Sequence, residues 1–109
     1  MHGKEPAMKV EMTFNNAAVS SNGYNITDIY QTIKKSFIGS GLKCCSEDDT
    51  LSFEDGGREN DYANMWKLIL SLLRSPWFIK CASSCVFVDD DDSEEDVLSQ
   101  AWKAQKQLA

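Results

Sequence analysis

The chain has 109 residues, 42% of them hydrophobic, with 17 acidic against 11 basic residues and a net charge of −6. At this length one domain is expected, burying about two-thirds of the unfolded surface. The apolar content argues against a disordered chain, and the apolar runs fall far short of the ~20 residues a bilayer span needs. The bases are scattered, with only Lys34 and Lys35 adjacent, so nucleic acid and anionic membranes are not expected partners.

Residues 1–7 are polar, lack the apolar segment of a signal peptide and read as a leader. The domain is expected over 8–109, in the cytoplasm. Met8, Val10, Met12 and Phe14 alternate with Lys9, Glu11 and Thr13, the period-two pattern of a half-buried strand. Residues 15–25, rich in Asn, Ser and Gly, read as a loop. Ile26, Ile29, Tyr30, Ile33 and Phe37 recur at helical spacing; Asn25 or Thr27 is placed to cap that helix, and Gly39 and Gly41 to stop it. Residues 42–45 and 50–54 form an expected hairpin around the turn residues Ser46, Glu47, Asp48 and Asp49. After the break at 55–60, Tyr62, Met65, Trp66, Ile69, Leu72 and Leu73 trace the apolar face of a helix capped by Asn60 or Asp61.

Ser75-Pro76 admits two continuations. Ser as cap and Pro as first helical residue give a short helix over 76–83. The rival is a hairpin of 77–81 with 85–88 turning at Ala82-Ser83-Ser84. Residues 85–88 are a strand in either case. Residues 93–107 then read as a closing helix, capped by Asp92 or Ser93, with Val97, Leu98, Ala101, Trp102 and Gln105 on one side and Trp102 packed onto the domain.

The order is strand, helix, strand, strand, helix, strand, helix. Its first six elements match the β-α-β-β-α-β arrangement of a ferredoxin-like domain, an antiparallel sheet with both helices on one face, followed by a C-terminal helix. This α+β reading points to no particular family, and the fold hosts many unrelated functions.

The usual catalytic parts are missing. His2 is the single histidine and lies in the leader, so no histidine triad or zinc site is expected. Cys44-Cys45 and Cys81-x3-Cys85 lack the spacing of common zinc sites, and buried reduced thiols are expected; a redox pair of Cys81 and Cys85 is the alternative, and on one helix the two would be i, i+4 neighbours. Residues 89–95 resemble a calcium loop until the sixth position, where Glu94 stands in place of Gly. No cofactor, no metal and no enzymatic activity are expected.

Residues 89–96 carry seven of the 17 acids, and without them the chain is nearly neutral. One or two acids suffice to cap a helix, so the surplus points to a basic protein partner, met with complementary charge. In the ferredoxin-like arrangement the ends of the third and fourth strands share one edge, which would bring Asp89, Asp90, Asp91, Asp92, Glu94 and Glu95 beside Glu54, Asp55 and Glu59. Two strand spacings, about 10 Å, would separate the two groups, near one Debye length. Trp77 and Phe78, if exposed, would add an aromatic anchor. Two narrower readings are a toxin-neutralising inhibitor of a basic nuclease and a weak divalent-metal-binding protein.

Overall fold

A computed structural model describes residues 8–91 and 93–108, without the side chains of 105–108. Residues 1–7, His2 among them, Asp92 and the side chain of Gln105 lie outside the described residues. The chain runs β1 (Lys9–Phe14), α1 (Asn16–Ser21), α2 (Ile26–Gly39), β2 (Lys43–Glu47), β3 (Leu51–Glu54), α3 (Asp61–Leu73), α4 (Pro76–Cys81), β4 (Ala82–Val88), β5 (Glu94–Asp96) and α5 (Val97–Leu108). It is an α+β protein with one open antiparallel sheet. The sheet has five strands in the order β2-β3-β1-β4-β5, so the four-strand ferredoxin-like sheet expected from the sequence is corrected: the acidic run itself supplies an edge strand.

Register explains the layers. Val10 lies opposite both Phe53 and Phe87, and Met12 opposite both Leu51 and Cys85, so all six side chains share one face. Phe37 of α2 stacks on Phe53 at 4.4 Å between ring centres, and Trp66 of α3 meets Phe87 at 4.7 Å. Both long helices therefore cover the same face. Ile29, Ile33 and Phe37 from α2, and Met65, Ile69 and Leu72 from α3, complete the core.

The opposite face carries polar residues. Along one row Lys43 stands opposite Glu54, Glu54 opposite Lys9, Lys9 opposite Val88 and Val88 opposite Glu94. Opposite charges facing each other across strands stabilise by a few tenths of a kcal/mol each. Glu54 thus sits between two lysines on the ladder.

Local chemistry sets the helix ends. Asn25 Oδ1 accepts the N–H groups of Thr27 and Asp28, capping α2 as expected. The Asn-rich stretch after β1 is no plain loop: Asn15 Oδ1 accepts the Ala18 N–H at 3.0 Å, and Val19 is buried, which together anchor α1. The helical reading of Pro76 holds, and the rival hairpin does not form; β4 begins three residues earlier than expected, at Ala82.

The closing helix is also corrected. It starts at Val97 rather than at residue 93, because Glu94–Asp96 pairs with Val86–Val88. Asp96, rather than Ser93, serves its first turn, with Oδ1 accepting the Ser99 N–H at 3.0 Å and Oδ2 accepting the Ser99 hydroxyl at 3.0 Å. Val97 and Leu98 are buried, while Trp102, at 38% exposed, is covered less completely.

The break between β3 and α3 is a compact knot. Gly56 lies so near Gly41 that a Cβ there would stand 2.6 Å from the Gly41 carbonyl oxygen, and Gly57 has φ +83°. The Asp61 carboxylate, fully buried, accepts the N–H of Gly56 at 2.6 Å, the N–H of Arg58 at 3.2 Å and Arg58 Nε at 3.4 Å. Arg58 also donates to the Ser40 carbonyl at 2.6 Å, tying this loop to the end of α2. Asn60 stands at the cap position without a side-chain bond, so Asp61 acts by gathering loop amides. Gly56→Ala is expected to lower stability by about 1–3 kcal/mol, because backbone, not a flexible side chain, must move to admit the methyl. Urea unfolding of the variant checks this.

Candidate functional site

The acidic residues singled out from the sequence sit mainly at one end of the sheet, past Lys9 and Val88. The turn between β4 and β5 is closed by the Asp89 N–H donating to the Ser93 carbonyl at 2.9 Å. Asp89 Oδ1 accepts the Asp90 N–H, and Asp91 Oδ1 accepts both the N–H and the hydroxyl of Ser93. The bonds from Ser93 to its carboxylate hold Asp91 below the usual carboxylate range. Asp89 and Asp90 face Asp55 and Glu59 across a recess of about 310 Å³, whose other walls include Arg58 and Tyr62. The acids next to β3 and those after β4 are therefore brought together.

The grouping is not complete. Asp55 is buried, its Oδ2 accepting the Met8 N–H and its Oδ1 the Gly57 N–H, so its role is structural and it presents little to a partner. Glu54 faces the open side of the sheet between Lys9 and Lys43. Glu94 and Glu95, adjacent on β5, point to opposite faces. Phe78 is fully buried and meets Phe14 edge-on at 5.8 Å, so it is withdrawn from the partner contacts. Trp77 is half-buried beside it. Both lie near Phe14, at the far end of β1 from the acidic turn, roughly 17 Å away at ~3.3 Å per residue.

A second acidic group was read from the sequence only as turn residues. Glu47, Asp48 and Asp49 sit at the Phe14 end of the sheet and, with Phe14, Ile26, Tyr30 and Lys34, line a recess of about 580 Å³. Lys34 Nζ bonds Glu47 Oε1 at 2.8 Å, and the Tyr30 hydroxyl donates to the Asp48 carbonyl at 2.8 Å. Burial, then the charges of Asp49 and Asp48, push the Tyr30 phenol up. The acids thus occupy both ends of the sheet, not one.

Cys81 closes α4 and Cys85 lies on β4, so the two are not i, i+4 neighbours on one helix, and all four thiols are free. Burial pushes Cys85 up to about 12, with the Asp96 charge adding to it, and burial also raises Cys81 and Cys44. Thiolates are the reactive form, so the native chain should take up iodoacetamide at exposed Cys45 and resist it at Cys81 and Cys85. Mass spectrometry of labelled peptides at pH 8 checks this, and rapid labelling of Cys85 would contradict it.

Among the described residues no three His, Cys, Asp or Glu side chains are arranged to hold a metal ion, and no helix is long and apolar enough to cross a membrane. Comparison with known proteins found no matching family model, no matching curated protein and no matching solved structure.

Proposed function

We infer that the chain is a non-catalytic binding module whose acidic end, at the β4–β5 turn, docks a basic surface of another protein. One observation carries this reading. Among the described residues, Glu59, Asp89, Asp90, Asp91, Glu94 and Glu95 belong to no ion pair, while Arg58, the base lining their recess, is directed at Asp61 and the Ser40 carbonyl. Like charges left uncompensated at close range destabilise a fold, and a cationic partner relieves that repulsion while speeding encounter.

A ferredoxin-like frame, with β5, α1, α4 and α5 as additions to it, belongs to the same proposal and is supported by β1 lying between β3 and β4 in the sheet. A cytoplasmic site of action and the narrower role of neutralising a basic nuclease are versions of the same proposal.

The test is recovery of partners from native lysate by the wild type and by Asp89→Asn/Asp90→Asn/Asp91→Asn. Recovery is expected to fall at least tenfold for the variant, and for the wild type to fall steeply between 50 and 300 mM salt (concentrations on the order of those that shorten the Debye length below ~10 Å). Equal recovery by the two proteins removes the acidic-end reading.

A further inference from the structure

We propose that the recess between α2 and the β2–β3 turn binds a positively charged head on an apolar stem, an alkylammonium or alkylguanidinium group. This goes beyond the reading above, since the recess lies at the other end of β1 from the acidic turn.

The recess combines the two surfaces such a group needs. Its apolar wall is Phe14, Tyr30 and Ile26. The Phe14 and Tyr30 rings lie 5.8 Å apart and tilted at 55°, and Phe14 rests edge-on against buried Phe78, so the wall is held by the core. The rim opposite is Glu47, Asp48 and Asp49. The Tyr30 hydroxyl donates to the Asp48 carbonyl, tying this rim to α2. A volume of about 580 Å³ admits a chain of several methylenes as well as its head.

Charge decides which head fits. Lys34 is the one base lining the recess, and Glu47 engages it at 2.8 Å. The carboxylates of Asp48 and Asp49 make no ion pair or hydrogen bond among the described residues, which leaves the recess two negative charges in surplus. An anion is repelled there, and a neutral ligand leaves that surplus unanswered. Aromatic faces beside the carboxylates add attraction for a cation and none for an anion. Lys34, itself a lining residue, already places an ammonium on one of these carboxylates.

The same chemistry comes from a free aliphatic amine or from a Lys or Arg side chain of a polypeptide. The experiment is titration of the full ¹⁵N-labelled chain, followed by NMR, with 1,5-diaminopentane, with an Arg-containing tripeptide and with 1,5-pentanediol. Shifts are expected at Phe14, Tyr30 and the amides of residues 48–50 with the diamine, the tripeptide or both, and not with the diol. Response to the tripeptide alone assigns the head to a polypeptide side chain, response to the diamine alone assigns it to a free amine, and response to both supports the alkyl-cation chemistry that the two share. Asp48→Asn/Asp49→Asn should weaken the binding at least tenfold. Asn is at home in turns, and both positions are exposed, so this variant is expected to keep its fold. Lys34→Gln, which removes the resident competitor, should tighten binding at least threefold, and Asp89→Asn/Asp90→Asn should leave it unchanged. Absence of shifts with both cations, equal shifts with the diol, or unchanged affinity in Asp48→Asn/Asp49→Asn overturns the proposal. Loss of partner recovery by the Asp89–Asp91 variant with this site intact, or the reverse, separates the two readings.

Discussion

Asp61→Ala is expected to lower the unfolding free energy by about 3 kcal/mol, a large share of the ~5–15 kcal/mol that holds a small domain folded. The carboxylate is fully buried and gathers the N–H groups of Gly56 and Arg58 and the Arg58 guanidinium. Removing it orphans two backbone donors inside the knot and frees Arg58 from its ion pair, loosening the tie to Ser40. The pH dependence separates this role from simple packing. Burial alone pushes the Asp61 carboxyl up, but the N–H groups of Arg58 and Gly56 and the Arg58 charge outweigh it, and the net displacement is below the ordinary value of 3.8. Because the carboxyl is more acidic folded than unfolded, its stabilisation is complete above the unfolded value and is lost as pH falls through the folded one. Urea midpoints should therefore drop for the wild type below about pH 4, and the gap between wild type and Asp61→Asn should narrow over the same interval. A gap that stays constant from pH 7 to pH 2.5 would show that the charge contributes nothing.

That knot was only half legible in the sequence. Gly56 and Gly57 announced a break, and Asp61 was a cap candidate, because Gly and Asp favour such positions whatever surrounds them. What the residues could not announce is the neighbour: Gly56 is needed because Gly41, distant in the chain, passes beside it. Elements with strong periodicity were read correctly for the same kind of reason. β1 alternates, and α2 and α3 carry apolar residues at helical spacing, so burial acts on each independently of its partners.

The candidate site was legible in its residues and less so in its geometry. Seven clustered acids are visible in any sequence, but charge carries no periodicity that distinguishes a helix start from an edge strand. Glu94–Asp96 became a strand because β4 had an open edge to pair with, a tertiary fact. An edge strand of three acids also discourages a second chain from adding there, since like charges would face each other. The acids of the β2–β3 turn were passed over because turn chemistry accounts for them locally, and their proximity to Tyr30 and Phe14 depends on β1 and α2 meeting at that end.

Phe53→Ala is expected to cost about 3–5 kcal/mol, the range for emptying a phenylalanine site in a packed core. Phe53 and Phe37 are both fully buried, and their rings stack at 4.4 Å with an 18° angle between planes. Phe53 also faces Val10 across β1 and Cys44 across β2, so the cavity would open between three strands and α2. Val10, Ile33 and Phe37 are themselves at most 1% exposed and already packed in the core, so they have little freedom to fill it. With an m-value of about 1–2 kcal/mol/M in urea, the midpoint should fall by roughly 2 M or more, and the protein will unfold at room temperature if its total stability lies at the low end for its size. Phe53→Leu, which retains most of the volume, should cost about 1–2 kcal/mol. Trp102→Ala supplies the contrast: that indole is 38% exposed on α5, so its loss should cost under about 1 kcal/mol despite the larger side chain. Tryptophan fluorescence from Trp66 and Trp77 follows all three unfolding curves. If Trp102→Ala destabilised as much as Phe53→Ala, α5 would belong to the core, and the division between a packed sheet-and-helix body and a terminal helix held by its first turn would be wrong.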